Sequence, residues 1–470
     1  MHIVKESEMQ LYDYQSAGVQ WMLSREQQND SAKGGILADE VGLGKTLMTL
    51  SLIKQNNMGC TLIIVPKSLV VQWQNEISTF APELSVRFFT KDSEPHFDTV
   101  DIVIAAHSIL NNCGFSQTIL NHKWGRVVID EAHIIKNKKS KSHKQACRLD
   151  TDIRWALTAT PIMNKMTDFV STLGWIGVPQ DECQKYKNIV SSTFILRRTK
   201  EDTGLNNLSP YNMHLHKLEF SQSEAALYDS VVKLYSRRLQ RMQEHGNANA
   251  LYALELLLRV RQICCHPRSF IDSKKASKLI SSLNIDRNLN GTKIDKILSQ
   301  IREQPEGDKC LIFCHFIKEM DEYCNRLDDE GFKVVRIDGT MSVEERAQAV
   351  ESFNKDPDVS VFVIQINTGG VGYNLQAANH IYITSPTWNP SLQHQVIGRA
   401  HRNGQTKQVQ VHLYTIHSST KCFVEDFILN LQNRKLNMIA DILNDSRINT
   451  ACLGDKSTIL FSDIVSAFSE

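Results

Sequence analysis

The sequence has none of the features that mark membrane, secreted or disulfide-stapled proteins. No run of about 18 consecutive apolar residues occurs, so no membrane-spanning helix is expected. The first residues, MHIVKESEMQ, hold no apolar core of the kind found in a signal peptide. The 11 cysteines are scattered without a CxxC pair, which argues against a disulfide framework or a paired zinc knuckle. These absences predict an intracellular protein with reduced thiols, no membrane contact and no zinc.

The sequence also lacks an excess of charge of either sign. Its 53 Lys and Arg residues against 52 Asp and Glu residues give a formal net charge of +1. Binding to a polyanion by bulk charge is therefore not expected, whereas a local basic groove is compatible with this balance. At 470 residues, and with about 150 residues per domain as a guide, the chain is long enough for two or three domains.

Short apolar runs alternate with helix-like segments along most of the chain. They are TLIIVP, DIVIAA, RVVID, IRWALTAT, CLIFC, KVVRI, VFVIQI, HIYIT and VQVHLYTI. Runs without polar alternation are typical of strands in a parallel sheet that is buried on both faces. The sequence therefore predicts an α/β protein.

The series of strands is interrupted between about Phe169 and Gly307, where two long segments have helical periodicity. These segments are SEAALYDSVVKLYSRRLQRMQ and NALYALELLLRVRQI. The predicted organisation is an N-terminal lobe over residues 1–210, a helical insertion and linker over 211–290, a second lobe over 291–430 and a C-terminal helical extension over 431–470.

The stretch ILADEVGLGKTLMTL joins an apolar strand to a helix through a glycine-rich turn. Gly42 and Gly44 permit a tight turn, and backbone N–H groups at the start of the helix can cradle phosphates. Lys45 can reach the β- and γ-phosphate oxygens of ATP, and Thr46 can ligate Mg²⁺. The strict phosphate-loop pattern has glycine where this chain has Asp39, so a chance glycine turn before a helix is the alternative.

RVVIDEAH places two carboxylates, Asp130 and Glu131, at the end of an apolar strand. Asp130 can fix Mg²⁺ through its water shell, and Glu131 can act as a general base on the attacking water. Such a pair by itself is also usual at a solvated strand end. Behind a phosphate loop at this spacing it predicts ATP hydrolysis.

QVIGRAHRNGQ contains Arg399 and Arg402, which are one helical turn apart and are predicted to share a face of one helix. Two such arginines can stabilise the charge that develops on a transferred phosphoryl group. The alternative is a solvated helix with ordinary surface arginines.

Ten signatures follow one another from Tyr12 to Gln405: LYDYQ, DEVGLGKT, IIVPKSLVVQW, DEAH followed by IIKN, ALTATPIMN, ILRRTKED, RQICCHP, CLIFCHF, NTGGVGYNLQAANHIYITSPTWNP and QVIGRAHRNGQ. In these signatures and their order, the chain resembles the SWI/SNF-type family of superfamily-two helicase-like, DNA-dependent ATPases. The resemblance implies two RecA-like lobes with parallel sheets, a helical insertion between them and a C-terminal helical extension.

Within the family, GVQWML followed by GGILADE, together with RVRQICCHP, looks most like the branch that includes RING-bearing postreplication repair translocases and transcription-termination ATPases. Members of that branch often carry the RING between the lobes. This sequence has no array of cysteines and histidines able to bind two zinc ions. The resemblance therefore implies a motor without ubiquitin-ligase activity.

The resemblance also implies that both lobes contribute to one ATP site. The predicted nucleotide-binding residues are Gln15, which would contact adenine, Asp39, Gly42, Gly44, Lys45 and Thr46. The predicted catalytic residues are Lys45, Asp130 and Glu131 of the first lobe and Gln395, Arg399 and Arg402 of the second. Mg²⁺ is assigned to Thr46 and Asp130, partly through water.

A DNA translocase needs phosphate contacts that ignore base sequence, preferably from backbone N–H and hydroxyl groups. Candidates at predicted strand ends are Lys67, Ser68, Thr158, Thr160, Thr368, Gly369 and Gly370. By resemblance Trp388 also lies at the DNA groove, with a core tryptophan as the alternative. The lysine-rich residues 134–144 are either a solvated face or a guide for phosphate. Arg197, Arg198 and Lys200 would serve either DNA or lobe packing.

The sequence therefore predicts an ATP-dependent double-stranded DNA translocase that moves or displaces bound proteins such as nucleosomes, polymerases or repair factors. One alternative is a strand-separating DNA or RNA helicase, which would need a wedge that is not legible in the sequence. A second is a nucleic-acid-binding scaffold without hydrolysis, against which Lys45, Asp130 and Glu131 argue. The substrate implies a nuclear location, or the cytoplasmic factory of a large DNA virus, and partner subunits are compatible with it.

Overall fold

The computed structural model describes residues 11–28, 32–89, 97–111, 117–159, 166–179, 181, 183, 187–204, 209–244, 250–273, 289–369, 372–402, 404–419 and 423–443. The described residues form two compact units, which we call the first lobe (residues 11–204 and 439–443) and the second lobe (residues 209–438). In the described ranges no helix has both the length and the apolar character needed to cross a membrane.

The first lobe is built on a sheet of parallel strands. They are β1 (Lys33–Leu37), β2 (Thr61–Val65), β3 (Val86–Phe88), β4 (Ile102–Ala106), β5 (Arg126–Asp130), β6 (Ile153–Leu157) and β7 (Ile195–Leu196). Their order across the sheet is β3-β4-β2-β5-β6-β1-β7, and every pair is parallel. The carboxyl ends of all these strands therefore lie along one edge, where ligands of open α/β sheets bind.

Helices cover both faces of this sheet. They are α1 (Asp13–Gln27), α2 (Lys45–Gln55), α3 (Val70–Phe80), α4 (Gln117–Leu120), α5 (Lys141–Ala146), α6 (Met166–Ile176) and α7 (Lys187–Phe194). A buried ion pair fixes α1: the Arg126 guanidinium of β5 donates to the Glu26 carboxylate, with 2.6 Å between Nη2 and Oε2. Trp155 Nε1 of β6 donates to the same carboxylate at 2.8 Å. Because both charges are paired and hydrogen-bonded, their burial is tolerated.

The second lobe contains a second parallel sheet. Its strands are β8 (Asn212–Leu218), β9 (Cys310–Cys314), β10 (Lys333–Ile337), β11 (Val359–Gln365), β12 (His380–Ile383) and β13 (Gln410–Ile416). They are ordered β10-β11-β9-β12-β13-β8, again with all pairs parallel. The predicted α/β class with two parallel sheets is confirmed.

The second lobe also contains the predicted helical insertion and most of the C-terminal helix. Its helices are α8 (Gln222–Glu244), α9 (Ala250–Cys265), α10 (Pro267–Ile271), α11 (Thr292–Arg302), α12 (Ile317–Asp329), α13 (Val343–Lys355), α14 (Ile366–Gly369), α15 (Pro390–Ala400) and α16 (Val424–Leu443). One apolar cluster joins Leu227 of α8 and Leu256 of α9 to Val424 and Ile428 of α16. The helical insertion and the last helix therefore pack together in one hydrophobic core of the second lobe.

The structure adds three details to the predicted organisation. Residues 212–218, predicted as part of a helical segment, form β8; this edge strand is largely exposed, and its sequence NMHLHKL contains no continuous apolar run. The last helix begins at Val424, before the boundary at residue 431 predicted for the C-terminal extension. The short strands β3 and β7 have too few residues to produce an apolar run.

Candidate nucleotide-binding and catalytic site

The glycine-rich turn lies between the end of β1 and the start of α2, as predicted. Gly42 and Gly44 have φ values of 94° and 82°, in the left-handed region that favours glycine. A Cβ atom on Gly44 would also lie 2.4 Å from Gln15 Nε2, so the Gln15 side chain would have to move away. Both glycines are therefore required by the backbone of the turn.

The adjacent α1 holds this turn through the residues of the LYDYQ signature. Gln15 Nε2 and the Tyr14 hydroxyl each donate to the Leu43 carbonyl at 3.2 Å. The Gln15 carbonyl oxygen accepts from Tyr12 N at 3.1 Å. Gln15, predicted to contact adenine, thus lies against the phosphate loop itself, and its contact with the base stays a prediction.

Lys45 is the first residue of α2, and its ammonium group lies over the loop that precedes it. Lys45 Nζ donates to the carbonyl oxygens of Asp39 at 2.6 Å and Glu40 at 3.2 Å. Burial lowers the pKa of Lys45, against the opposing effect of the neighbouring carboxylates. A desolvated ammonium held by two neutral carbonyls can exchange them for phosphate oxygens, which carry full charge.

Arg198 contacts Asp39 of the phosphate loop, a partner that sequence reasoning did not assign. The Asp39 carboxylate is fully buried and accepts from Arg198 N at 2.9 Å and from Arg198 Nε at 3.1 Å. The same guanidinium lies 5.4 Å from the centre of the Tyr14 ring. Of the two roles left open for Arg198, the structure supports packing within the first lobe, where it ties the phosphate loop to the segment after β7.

Asp130 ends β5 and is held by hydrogen bonds to both carboxylate oxygens. Trp73 Nε1 of α3 donates to Asp130 Oδ2 at 2.9 Å, and the Glu131 backbone N–H donates to Oδ1 at 2.8 Å. Burial and the charge of Glu131 raise the pKa of Asp130 to about 6. The Asp130 carbonyl is held in turn by His107 Nε2 at 2.8 Å. Trp73 and His107 are contacts that the motif spacing did not reveal.

Glu131 has an unusual backbone conformation for a residue with a side chain. With φ 45° and ψ 52°, it is the one non-glycine residue with positive φ in the described ranges. Such a conformation costs about 1–3 kcal/mol and is concentrated at functional sites. Glu131 Oε2 also lies 3.3 Å from His133 Nδ1. The fold therefore holds the predicted general base in a strained, defined orientation.

The donor set of this site fits a Mg²⁺ ion. Desolvation and the neighbouring charge of Glu131 make ionisation of Asp130 costly, and a divalent cation would offset that cost. Thr46 follows Lys45 in the first turn of α2 and supplies a hydroxyl. Oxygen ligands of this kind are those that Mg²⁺ prefers.

The second-lobe residues of the predicted site lie on or next to α15. The Asn389 side chain caps this helix by accepting from Ser391 N at 3.2 Å. Gln395 and Arg399 are both on α15 and are largely buried. Arg402 does not share the helix face predicted for it, because α15 ends at Ala400 and the chain turns at residue 401.

The predicted DNA contacts in the described ranges follow the carboxyl ends of strands. Lys67 is exposed and Ser68 half-buried in a short turn after β2. Thr158 follows β6, is buried, and its N–H donates to Leu37 O at 3.1 Å. Thr368 Oγ1 donates to Gln365 O at 2.7 Å after β11. Gly369 ends α14, while Thr160 and Gly370 lie outside the described residues.

The lysine-rich residues after Glu131 form an exposed basic surface. Lys138, Lys139, Lys141 and Lys144 are exposed, on a turn and on α5. Within the described part of the chain, no ion pair joins these four lysines to an acidic side chain. Likewise, no group of three or more His, Cys, Asp or Glu residues able to hold a metal ion was found among the described residues.

Two known protein domains match successive parts of this chain. The pattern of the SNF2-related domain matches residues 14–269, and that of the helicase conserved C-terminal domain matches residues 292–404. The chain is 29% identical over 472 residues to the "Probable global transactivator" of Orgyia pseudotsugata multicapsid polyhedrosis virus, covering 93% of this chain and 92% of that protein. It is 28% identical over 469 residues to the "ISWI chromatin-remodeling complex ATPase CHR11" of Arabidopsis thaliana, covering 93% of this chain.

The chain spans 43% of the length of that plant remodelling ATPase, so the plant protein contains much that this chain does not match. Other relatives are named as DNA repair proteins. Among solved structures, the "Sulfolobus solfataricus SWI2/SNF2 ATPase core in complex with dsDNA" is 27% identical, with a TM-score of 0.42 over 94% of each chain.

Proposed function

The chain belongs to the SNF2-related family of helicase-like ATPases, and from this we propose that it uses ATP hydrolysis to move along double-stranded DNA and to displace or remodel proteins bound there. The observation that carries the proposal is the constellation at one sheet edge: Lys45 at the start of α2, and Asp130 and Glu131 at the end of β5. These three groups supply what phosphoryl transfer to water requires.

Each of these residues has a defined part in the proposed reaction. Lys45 binds phosphate oxygens, and Thr46 and Asp130 would hold Mg²⁺, which would neutralise charge on the phosphates. Glu131 orients the attacking water and accepts its proton. Gln395, Arg399 and Arg402 complete the site from the second lobe in this proposal, the arginines stabilising the transferred phosphoryl group.

Contacts with the DNA backbone in this proposal come mainly from neutral groups. Lys67, Ser68, Thr158 and Thr368 follow strands at the carboxyl edges of the two sheets. Hydroxyl and backbone N–H groups contact phosphate without regard to base sequence and can be released in each cycle. A net charge of +1 is compatible with such local contacts.

The proposed partners are double-stranded DNA and DNA-bound proteins such as nucleosomes, polymerases or repair factors. Relatives named for chromatin remodelling and DNA repair support this range of partners. The same relatives support a nuclear site of action, and the viral relative supports a viral replication compartment as the alternative.

The experiment that tests the proposal is ATP hydrolysis by the wild-type chain and by Lys45→Ala, without nucleic acid and with duplex DNA, single-stranded DNA and RNA in turn. We expect strong stimulation by duplex DNA and no hydrolysis by the variant, since Lys45 holds the transferred phosphate. Stimulation by single strands in preference to duplex would favour a helicase. Absence of hydrolysis with every polymer would overturn the proposal in favour of a scaffold.

A further inference from the structure

Segment Thr384–Trp388 leads from β12 to α15, and each of its five backbone carbonyls accepts a hydrogen bond from a side chain elsewhere in the second lobe. The donors are Lys293 Nζ to Thr384 O (2.8 Å), His315 Nε2 to Ser385 O (2.8 Å), Arg261 Nη2 to Pro386 O (2.6 Å), Gln432 Nε2 to Thr387 O (2.5 Å) and Lys435 Nζ to Trp388 O (2.7 Å). Carbonyls that leave a sheet need new partners, and here side chains supply all of them.

These donors come from parts of the chain that are far apart in sequence. Arg261 lies on α9 of the helical insertion, Lys293 on α11, His315 after β9, and Gln432 and Lys435 on the C-terminal helix α16. The insertion and the last helix therefore meet at one segment of five residues.

Two of these donors, Lys293 and Arg261, are buried cations. Lys293 is 1% exposed and Arg261 7% exposed, so each buried cation depends on its polar partners. Lys293 also pairs with the Glu425 carboxylate of α16, 2.5 Å away. Arg261 lies 5.7 Å from the centre of the Trp388 ring, within the range of a cation–π contact. The segment is thus clamped from several sides.

The clamped segment sets the start of α15. Trp388 is two residues before Pro390, the first residue of that helix, and Thr387 Oγ1 donates to the carbonyl of the capping residue Asn389 at 2.6 Å. The hydrogen bonds that hold this segment therefore also hold the point at which α15 begins. The side chains that α15 carries, Gln395 and Arg399, are placed accordingly.

We propose that Arg261, Gln432 and Lys435 are positioning residues for ATP hydrolysis: by holding segment Thr384–Trp388 through its carbonyls, they fix where α15 presents Gln395 and Arg399. This inference rests on the proposed function, because those two residues act in that reaction. In this proposal, the helical insertion and α16 hold the second-lobe part of the reaction centre in place.

The test uses Lys435→Met in the full chain, which keeps much of the side-chain stem and removes the ammonium donor. We expect kcat of duplex-stimulated hydrolysis to fall about tenfold, since small misplacements of reacting groups are costly. KM for ATP should change by less than about twofold, because the first-lobe residues are untouched. Lys435→Arg should restore most of kcat. Lys355→Met is the matched control, since Lys355 forms an exposed pair with Glu351 in the same lobe.

Hydrogen exchange gives a second readout that needs no turnover. Amide protection over residues 390–400 is expected to fall in Lys435→Met and to stay unchanged in Lys355→Met. If amide protection over residues 390–400 is unchanged in Lys435→Met, the inference is overturned, whether or not the wild-type chain hydrolyses ATP. Absence of hydrolysis by the wild-type chain is a separate result, and it would refute the proposed function. With an active wild type, a kcat for Lys435→Met within twofold of wild type, or equal losses in Lys435→Met and Lys435→Arg, also overturns it.

Discussion

Trp73 holds Asp130 through one hydrogen bond, which makes it a sensitive point of the site. Trp73→Phe removes the indole N–H and keeps an aromatic ring in the same place. We expect kcat for ATP to fall by about tenfold and the half-saturating Mg²⁺ concentration to rise, because ligands that lose an outer hydrogen bond bind metal less well. Steady-state hydrolysis over a series of Mg²⁺ concentrations measures both.

Trp124→Phe is the matched control for this substitution. Trp124 is equally buried in the first lobe, and its indole N–H donates to the Ile119 carbonyl at 2.9 Å, away from the carboxylates. It should lower stability to a similar extent and leave kcat and the Mg²⁺ dependence unchanged. Equal losses of kcat in the two variants would show that Trp73 contributes only to folding.

Asp39 and Arg198 provide a second test at this scale. Asp39→Asn leaves the Arg198 guanidinium without its carboxylate in a buried place. Breaking such a pair costs about 3 kcal/mol, or roughly 6 to 12 °C in the thermal midpoint of a unit of this size. Differential scanning calorimetry measures the shift, and we also expect weaker ATP binding because the pair steadies the phosphate loop.

Glu40→Gln is the control for Asp39→Asn, since it changes the neighbouring residue of the same loop. The Glu40 side chain is 43% exposed and its carboxylate lies 3.8 Å from Lys200 Nζ. An exposed pair of this kind contributes about 1 kcal/mol or less. A midpoint shift in Asp39→Asn no larger than in Glu40→Gln would contradict a structural role for Arg198.

Residues whose role depends on local spacing could be predicted from the sequence, whereas partners across the fold could not. Gly42, Gly44 and Lys45 fall where the phosphate-loop pattern placed them, because one turn between a strand and a helix determines all three. Trp73 lies 57 residues from Asp130, and Arg198 lies 159 residues from Asp39. Nothing in the spacing of one sequence reports contacts at such separations.

Three neighbouring strands of the second sheet, β12, β13 and β8, carry histidines that stack on one face. His412 lies between His214, with ring centres 4.9 Å apart, and Tyr382, also 4.9 Å away. His216 Nε2 lies 3.0 Å from His412 Nδ1. So close a set of imidazoles cannot all take up protons without strong repulsion.

This face predicts that the second lobe loses stability in mild acid. Burial, together with His214, His216 and His380, lowers the pKa of His412 to about 3, whereas an unfolded histidine has a pKa of about 6.5. The unfolded chain therefore binds more protons below that value, so the stabilisation is complete above pH 6.5 and is lost as the pH falls. We expect about 1 to 2 kcal/mol less stability at pH 5 than at pH 7.5, measured by denaturant unfolding.

His412→Phe tests the assignment of this pH dependence, because phenylalanine stacks in the same way and cannot be protonated. The other charged or titratable groups near this face, which stay in the variant, are His214, His216, His380, Tyr382, Tyr414, Lys296 and Asp308. The variant should lose less stability than the wild type between pH 7.5 and pH 5. If the variant loses as much stability as the wild type between pH 7.5 and pH 5, the loss comes from groups other than His412.

At the scale of elements, strands were predictable where both faces are buried. β2, β5, β9 and β11 are apolar runs in the middle of their sheets, and each was identified from composition alone. β8 was missed because an exposed edge strand has no such run. The short extent of α15 was also missed, since nothing in the arginine spacing marks the turn at residue 401.

At the scale of the whole molecule, the proposed reaction uses residues of both lobes. The first lobe holds Lys45, Asp130 and Glu131, and the second holds Gln395 and Arg399. The two-lobe organisation was predictable because ordered signatures run along both halves of the chain. The clamp on segment Thr384–Trp388 was not, because its donors come from helices whose sequences show only amphipathic periodicity.

The most direct test of the central claim is displacement of a short third strand from a DNA triplex, with intact duplex on either side. A chain that moves along duplex DNA should release the third strand in the presence of ATP and leave the two duplex strands paired. Glu131→Gln should bind ATP and release nothing, because the water that attacks the phosphate lacks its base. Separation of the duplex strands, or triplex release that persists in Glu131→Gln, would contradict movement along duplex DNA driven by ATP hydrolysis.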